Sequence, residues 1–336
     1  MTSPLTAIRD LIQEDVGNRG LRTDPAADLI TACPDDFANA CRGIAQAPQA
    51  AVAIVTGFYI PHATPPCGET DGPLGALFLA RALVPLGIRV ALVTDAFSTR
   101  PLQVGLAACG LERDVTLLTN PPLAHPWETY LRLDWLRFAR DVFRMTHLIA
   151  LERVGPSHTP ETIRAQDTTG QIEREFLRKV PEEDWDRCHT MRGLDITAQM
   201  SPAHLLFEAV KAEAPLVTTI GIGDGGNEIG MGKIPWDVIR RNIPGGARVA
   251  CRVATEELIV CGVSNWGAYG LAAGVRLLRG MAPEELFEVE RERVLLERMV
   301  EGGPLVDGVT GQQTATVDGL TFERYAEPLR RLATIR

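Results

Sequence analysis

The chain has 336 residues, of which 45% are hydrophobic and 23% are charged, values typical of a globular protein with a substantial core. Its formal net charge of -9 argues against a nucleic-acid-binding surface, because a phosphate backbone requires clustered lysine and arginine. No apolar run approaches the roughly 18 residues of a membrane helix, and the N-terminus lacks the apolar stretch of a signal peptide. The seven cysteines form no C-x-x-C pair, which favours free thiols. We therefore expect a cytoplasmic protein with neither a nucleic-acid nor a membrane partner.

The N-terminal region, residues 1–48, has the pattern of a helical cap. Ser3 followed by Pro4 is typical of an N-cap and a first helical position. From residue 49 onwards, apolar strands alternate with helices, which is typical of a parallel sheet covered on both faces. The predicted strands span 51–58, 88–95, 115–120, 146–152, 215–223, 247–253 and 257–263. The predicted helices span 72–87, 101–110, 127–144, 264–280, 283–303 and 322–334.

These elements predict an α/β fold with a mostly parallel, doubly wound (Rossmann-like) sheet, helices on both faces and a helical N-terminal cap. We expect a single domain over residues 1–336, with the α/β core in residues 49–336. A more polar, mostly helical insertion is predicted around residues 156–214.

Several acidic side chains follow the predicted strands. In open parallel sheets, ligands bind outside the carboxyl ends of the strands, so these acids are expected to meet at one edge. They are Glu69, Asp71, Glu152, Asp224 and Glu228. Carboxylates in a partly desolvated site repel one another, and a hard divalent cation offsets that repulsion. We therefore predict a site for Mg²⁺ or Mn²⁺; the alternative is that each acid is an independent helix cap or an exposed loop charge.

A glycine-rich stretch, residues 221–233 (GIGDGGNEIGMGK), follows a predicted strand in the way that phosphate-binding loops do. The Walker A pattern fails after Lys233, where isoleucine stands in place of serine or threonine. The G-x-G-x-x-G pattern that begins at Gly221 does fit, but no long helix follows, and Asp224 would face a phosphate with like charge. We therefore expect no nicotinamide or flavin cofactor.

Basic side chains near the same edge extend this hypothesis. Lys233 and Arg153 are candidates for holding an anionic substrate beside the cation, or for pairing with the same acids. His62 and His158 are candidate acid–base groups, although loop histidines are more often solvated.

Five stretches of the chain resemble the D-glutamate cyclase-like family. They are GETDGPLGA (68–76), ERVGPSHTPETIRAQD (152–167), GIGDGGNEIGMGK (221–233), GVSNWGAYGLAAG (262–274) and VDGVTG (306–311). The resemblance implies an α/β fold and a divalent-metal site in an acidic pocket. It also implies a lyase-type activity in amino-acid metabolism, the cyclisation of D-glutamate to 5-oxo-D-proline with loss of water.

Roles for individual residues follow from this resemblance and from the strand-end acids. The metal ligands would be the five acids. Catalytic roles are assigned to Asp71, Glu152 and Lys233. Substrate binding is assigned to Arg153, Asn227, Asn265, Asp307 and Thr310. We expect the substrate to be a small anionic amino or dicarboxylic acid, and a homo-oligomer is compatible with the sequence.

Two other functions are compatible with an acidic rim that binds a divalent cation. One is a metal-dependent hydrolase or phosphatase that acts on a small anionic metabolite. The other is a non-catalytic module that binds a metal or a metabolite.

Overall fold

The computed structural model describes residues 3–167, 169–282 and 286–335. In these ranges the strands are, in chain order, β1 Ala51–Thr56, β2 Tyr59–Ile60, β3 Cys67–Glu69, β4 Arg89–Thr94, β5 Val115–Thr119, β6 His147–Leu151, β7 Thr218–Gly223, β8 Glu257–Val260 and β9 Leu305–Val306.

Six of these strands form one sheet in the spatial order β5-β4-β1-β6-β7-β8, and each neighbouring pair is parallel. Renumbered among themselves, they have the order 3-2-1-4-5-6 of a doubly wound sheet, in which the winding direction reverses beside the first strand. The predicted mostly parallel α/β fold is therefore confirmed. The reversal lies between β1 and β6, so the loops after these strands border the crevice in which such folds bind ligands.

Strand β1 shows why both faces of the sheet are covered. All of its residues are buried, and its side chains alternate between two separate cores. Val52 and Ile54 belong to the core on one face, whereas Ala53 and Val55 belong to the core on the other. Covering both faces removes apolar surface from water, which stabilises the fold by about 25 cal/mol per Å² of apolar area.

The helices of the described ranges surround this sheet. They are α1 Pro4–Ile12, α2 Asp36–Gln46, α3 Pro73–Leu83, α4 Ala96–Cys109, α5 Trp127–Tyr130, α6 Pro160–Arg164, α7 Gln171–Lys179, α8 His204–Glu213, α9 Trp236–Asn242, α10 Gly246–Val249, α11 Ser264–Leu278, α12 Val289–Gly302, α13 Phe322–Tyr325 and α14 Glu327–Leu332. Helices α3, α4, α11 and α12 contribute to the first core, and α7, α8 and α9 to the second. Two π-helical turns, Leu131–Trp135 and Phe138–Val142, follow α5. None of the described helices has the length and apolar character that crossing a membrane requires.

The predicted N-terminal cap is helical only in part. Helices α1 and α2 form, and the Ser3 hydroxyl accepts a hydrogen bond from the Thr6 amide at 3.2 Å, which confirms the N-cap. Residues 13–35 between these helices contain turns instead. Within that segment the Asp15 carboxylate accepts hydrogen bonds from three consecutive amides, beginning at Arg19. This turn directs the Arg19 side chain to the carboxyl edge of the sheet.

The prediction of a strand over residues 247–253 is wrong. Helix α10 occupies the first part of this stretch, and it starts after Gly245, whose φ of +72° turns the chain. The Arg252 amide then donates to the Pro156 carbonyl rather than to a strand of the sheet. The stretch is apolar because it is buried, and burial alone does not distinguish a strand from a buried turn.

Two predicted helical regions are shorter than expected. The insertion around residues 156–214 contains α6, α7 and α8, but turns occupy most of the chain between α7 and α8. The helix predicted over residues 283–303 begins at Val289, and residues 283–285 lie outside the described ranges.

A second, three-stranded sheet in the order β2-β3-β9 was not predicted. Its strands have two or three residues each, too few for an alternation pattern to identify them. Strand β3 pairs antiparallel with β2 and parallel with β9. Because β3 ends at Glu69 and β9 ends at Val306, this small sheet places the loop after Val306 beside Glu69.

Arg153 joins the carboxyl ends of several strands. Its side chain is fully buried and donates to the two oxygens of Asp95 at 2.9 and 3.1 Å. It also donates to the carbonyls of Gly57 at 3.0 Å and Ser201 at 2.7 Å. Arg153 therefore belongs to the scaffold, and its role in substrate binding stays a prediction that these contacts do not support.

Replacing Arg153 by methionine is expected to destabilise the fold, because the buried Asp95 carboxylate loses its cation. Removing one partner of a buried ion pair costs about 3–5 kcal/mol of unfolding free energy. Urea unfolding followed by circular dichroism measures this difference. The control is Arg178→Met, whose side chain is 71% exposed and pairs with Glu175 on the surface, so its stability should change little. Equal stability of the two variants would contradict the scaffold role.

Candidate active site

The strand-end acids lie together at the carboxyl edge of the sheet, next to the reversal between β1 and β6. Glu152 follows β6 directly, and Asp224 follows β7. Carboxylate oxygens of Asp71, Asp224 and Asp318 lie within 4.8 Å of one another. Oxygens of Glu152, Asp224 and Glu228 form a second such group. The structure thus brings these acids together, whereas their role as metal ligands stays a prediction.

The N-terminus of α11 fixes two of these acids. Asp71 accepts hydrogen bonds from the amides of Ser264 at 3.0 Å and Asn265 at 2.8 Å. Glu152 accepts a hydrogen bond from the Ser264 hydroxyl at 2.5 Å. The positive end of the helix dipole stabilises negative charge at this place. The backbone of Glu152 has a φ of +44°, a strained conformation that is common at functional positions.

The glycine-rich loop after β7 wraps around a carboxylate of its own. Glu228 accepts hydrogen bonds from the amides of Asp224, Gly225 and Gly226 at 2.7–2.9 Å. A Cβ atom at Gly223 would lie 2.9 Å from the carboxyl carbon of Glu228, so the loop needs glycine there. The amides that could have held a phosphate hold Glu228 instead, and the loop thereby positions Asp224. Glu228 therefore shapes the loop, and its role as a metal ligand stays a prediction.

Two residues of the cluster were not predicted from the sequence. Arg19 forms ion pairs with Asp224 and Asp318, each at 2.6 Å. Asp318 belongs to the second of two Val-Asp-Gly triplets, residues 306–308 and 317–319, of which only the first was singled out. The repeated triplet was the available signal for Asp318. No local pattern indicates Arg19, because it lies in an irregular segment 205 positions before Asp224.

Asp307 holds the two triplets together. Its carboxylate accepts hydrogen bonds from the amides of Val309 and Thr310 at 3.0 and 2.8 Å. It also accepts one from the Gly319 amide at 2.7 Å, which fixes the position of the preceding residue, Asp318. Thr310 itself is exposed. The geometry therefore supports a loop-shaping role for Asp307 and gives no support to substrate binding by either Asp307 or Thr310.

Arg19 leaves part of each carboxylate that it binds without a partner. It contacts the Oδ1 atoms of Asp224 and Asp318, and within the described residues the Oδ2 atoms of both are buried without a hydrogen bond. Leaving a buried carboxylate oxygen unpaired is costly, so these atoms mark a place for a positively charged or hydrogen-bonding ligand. Burial alone lowers the pKa of Arg19, but the surrounding carboxylates, led by Asp224 and Asp318, together hold this pKa well above its usual value. Arg19 therefore remains a cation.

Burial also changes the protonation of the acids. It raises the pKa of Glu152 well above the usual range, and the Asp224 carboxylate raises it further. It raises the pKa of Asp71 in the same way, with Asp318 as the next cause. For Asp224, burial raises the pKa more than the Arg19 guanidinium lowers it. Protons therefore compete with any added cation for these oxygens.

A cavity of about 280 Å³ lies beside the cluster, a volume near the lower end for ligand pockets and suited to a small metabolite. Its lining includes four residues of the cluster, Arg19, Glu69, Glu152 and Asp318. The remaining wall consists of Phe58, Ile60, His62, Thr190, Met191, Arg192, Pro244, Gly308 and Val309. A Cβ atom at Gly308 would lie 1.8 Å from Glu69 Oε2, so only glycine lets the loop after β9 close over this carboxylate.

The two predicted asparagines support the scaffold of the site. The side-chain oxygen of Asn265 accepts hydrogen bonds from the amides of Gly72 and Gly75 at 2.8 and 2.7 Å, which holds the start of α3 in place. The side-chain amide of Asn227 donates to the His189 carbonyl at 2.8 Å. Neither asparagine is among the residues that line the cavity, whereas the side-chain oxygen of Asn227 is buried without a hydrogen-bond partner among the described residues. Their contact with substrate stays a prediction.

Two other predicted residues lie away from the acids. Lys233 pairs with Asp36 at the start of α2, so the geometry gives no support to its predicted catalytic role. His158 is buried against Thr162, and burial lowers its pKa to about 4. His62, in contrast, lines the cavity.

Comparison with known proteins places this site in a family. A model of the family described as D-glutamate cyclase-like, C-terminal, matches residues 8–172 and 179–333, and these ranges contain every acid of the cluster as well as Arg19. The chain is 28% identical over 357 aligned positions to the mitochondrial D-glutamate cyclase of Homo sapiens. That alignment covers 98% of this chain but only 51% of the human enzyme, so the chain spans about half the length of the curated relative. Because the family model matches almost the whole chain, the protein belongs to the D-glutamate cyclase-like, C-terminal family.

Proposed function

We propose that this chain is a lyase-type enzyme that converts D-glutamate to 5-oxo-D-proline and water with the help of a divalent cation. The observation that carries the proposal is the pair of buried, unpartnered oxygens of Asp224 and Asp318 beside a small cavity. Family membership supports the reaction class, and the name of the human relative supports the substrate.

The atom balance defines what the site must do. The α-ammonium group of glutamate carries three protons, and the lactam nitrogen of the product keeps one. A bond forms between this nitrogen and the γ-carboxyl carbon, and one γ-oxygen leaves as water with the two protons lost from nitrogen. The site must therefore remove protons from nitrogen, supply protons to oxygen and keep bulk water away from the reacting carbon.

The donor set fits a hard divalent cation. Asp71, Asp224 and Asp318 present only carboxylate oxygens to one another, the ligand type that Mg²⁺ and Mn²⁺ prefer. These three residues would hold the ion. When bound, the ion would polarise the γ-carboxylate and stabilise negative charge on the leaving oxygen.

Glu152 and Glu69 are the carboxyl groups that reach the cavity and are suited to proton transfer. Both line the cavity, and burial raises the pKa of each well above the usual range, so the protonated form is accessible nearer neutral pH. The Ser264 hydroxyl holds Oε2 of Glu152, which leaves Oε1 for proton exchange. Asp71 was the base predicted from the sequence, but backbone amides already bond to both of its oxygens. We therefore assign proton transfer to Glu152 and Glu69.

Turnover is the direct test of this proposal. The purified chain is incubated with D-glutamate or L-glutamate, with Mn²⁺, Mg²⁺ or excess EDTA, and 5-oxo-proline is measured by chiral chromatography. We expect 5-oxo-D-proline from D-glutamate in the presence of a cation. Phosphate release from sugar and nucleotide phosphates, with no cyclisation, would favour the hydrolase alternative instead.

Asp224→Asn should abolish both cation binding and cyclisation, because it removes a charge and an unpartnered oxygen from the proposed ion site. A saturating cation stabilises the unmodified protein by about 2.7 kcal/mol at one hundred times its dissociation constant. Thermal unfolding with and without Mn²⁺ measures this effect, and chromatography measures turnover.

The control for Asp224→Asn is Glu292→Gln, which alters a buried acid that pairs with Arg81 in the first core. This control should lose some stability but keep both the Mn²⁺-induced shift and turnover. An unchanged Mn²⁺-induced shift in Asp224→Asn would rule out the proposed ion site.

The pH dependence of stability provides a separate prediction for the metal-free protein. A carboxyl group whose pKa is raised on folding stabilises the folded state below its ordinary pKa of about 4, and this stabilisation is lost as the pH rises through the raised value. Glu152 is such a group, so the unfolding free energy of the unmodified protein should fall relative to that of Glu152→Gln as the pH rises above 4. Urea unfolding in EDTA between about pH 5 and pH 8 measures this difference. A difference that stays constant over this range would contradict the raised pKa of Glu152.

A further inference from the structure

Two basic side chains that the steps above do not use, Arg192 and His62, also line the cavity. Arg192 lies in a tight turn, in which the Gly193 amide donates to the Thr190 carbonyl at 2.8 Å. His62 lies just after β2, on a different part of the chain. The lining therefore combines the acids of the cluster with two basic groups.

Arg192 is an exposed cation at the wall of the cavity. Its guanidinium donates to the Val309 carbonyl at 2.5 Å. Within the described part of the chain it forms no ion pair with a carboxylate, unlike the other cavity cation, Arg19, which forms two. An arginine at the wall of a cavity without an acidic partner is a ready binding group for a carboxylate.

His62 lines the same cavity as Arg192. Among the described residues, both of its ring nitrogens are buried without a well-formed hydrogen bond. The ring is held by the loop after β9, because a Cβ atom at Gly311 would lie 2.7 Å from His62 Cδ2. Burial lowers the pKa of His62, and the nearby Arg192 guanidinium lowers it further. His62 therefore offers a neutral ring N–H that can donate to an anion beside Arg192.

We propose that Arg192 and His62 bind the α-carboxylate of the substrate and thereby select amino acids in which this group is free. The proposal rests on the cyclase function given above. During cyclisation the nitrogen reacts with the γ-carboxyl carbon beside the acids. The α-carboxylate is the charged group that stays outside the new ring, and a guanidinium and a neutral ring N–H on the cavity wall are suited to bind it. Phe58, Ile60 and Met191 add apolar wall for the methylene groups.

The cyclised product provides a clean probe, because 5-oxo-D-proline retains the α-carboxylate and has no other charged group. Binding of 5-oxo-D-proline and of its amide, 5-oxo-D-prolinamide, is measured by isothermal titration calorimetry. The proteins compared are the unmodified chain, Arg192→Met, and the control Arg187→Met, whose side chain is exposed and outside the cavity.

We expect Arg192→Met to bind 5-oxo-D-proline about 10-fold to 100-fold more weakly, the usual effect of losing a hydrogen bond to a charged group. Its affinity for the amide should equal that of the unmodified protein, which also shows that the variant is folded. Arg187→Met should behave as the unmodified chain with both probes. In turnover of D-glutamate, Arg192→Met should raise KM and leave kcat nearly unchanged, because the contact is present in substrate and product alike.

The outcomes separate this proposal from the proposed function. If Arg192→Met binds 5-oxo-D-proline as tightly as the unmodified protein while both cyclise D-glutamate, the carboxylate site is refuted and the cyclase function stands. If Arg192→Met loses affinity for acid and amide equally, recognition of the carboxylate is likewise refuted. If the unmodified protein neither binds 5-oxo-D-proline nor turns over D-glutamate, the proposed function fails together with this inference.

Discussion

Electrostatic repulsion among buried carboxylates is the constraint on which the rest of the site depends. Like charges a few ångströms apart in a partly desolvated place repel one another by several kcal/mol, so their charge must be balanced. The structure shows two ways in which the negative charge of these carboxylates is reduced. Arg19 pairs with Asp224 and Asp318, and burial raises the pKa of Glu152 and Asp71 well above the usual range. The unpartnered oxygens beside Arg19 leave room for a third, an added cation.

The scaffold tolerates this repulsion because several separate parts of the chain hold the acids rigidly. The N-terminus of α11 fixes Asp71 and Glu152, the loop after β7 positions Asp224, and Asp307 fixes the loop that carries Asp318. Glycines permit the close approaches, most clearly at Gly308 against Glu69. The doubly wound strand order brings these loops to the carboxyl edge of the main sheet. The position of the site therefore follows from the reversal of winding direction between β1 and β6.

The sequence predicts those residues of the cluster that come directly after a strand of the main sheet. Glu152 and Asp224 come directly after long apolar strands, so their meeting at one edge could be inferred from the order of the elements alone. Arg19 could not, because its position depends on an irregular turn built around Asp15 and on long-range packing. Lys233 is the opposite case: it is close to Asp224 in sequence, yet its side chain pairs with Asp36, so closeness in sequence alone does not place a side chain among the acids.

The secondary structure also divides into elements that local sequence patterns predict and elements that depend on tertiary packing. The long strands and helices of the main sheet have clear periodicity, and their prediction agrees with the structure. The short strands β2, β3 and β9 have too few residues to show a pattern, although they place Glu69 beside the cavity. The buried stretch at 247–253 has the apolar character of a strand but bonds to loops instead. Tertiary packing, which local patterns do not contain, decides these cases.

The central claim is that protons and a divalent cation compete for the same buried carboxylates. The direct measurement is calorimetric titration of the metal-free protein with Mn²⁺ near neutral pH, in two buffers that differ in ionisation enthalpy. If the claim is right, Mn²⁺ binds and the difference in heat between the buffers shows release of protons from the protein. Absence of Mn²⁺ binding, or binding with no proton release, would contradict it.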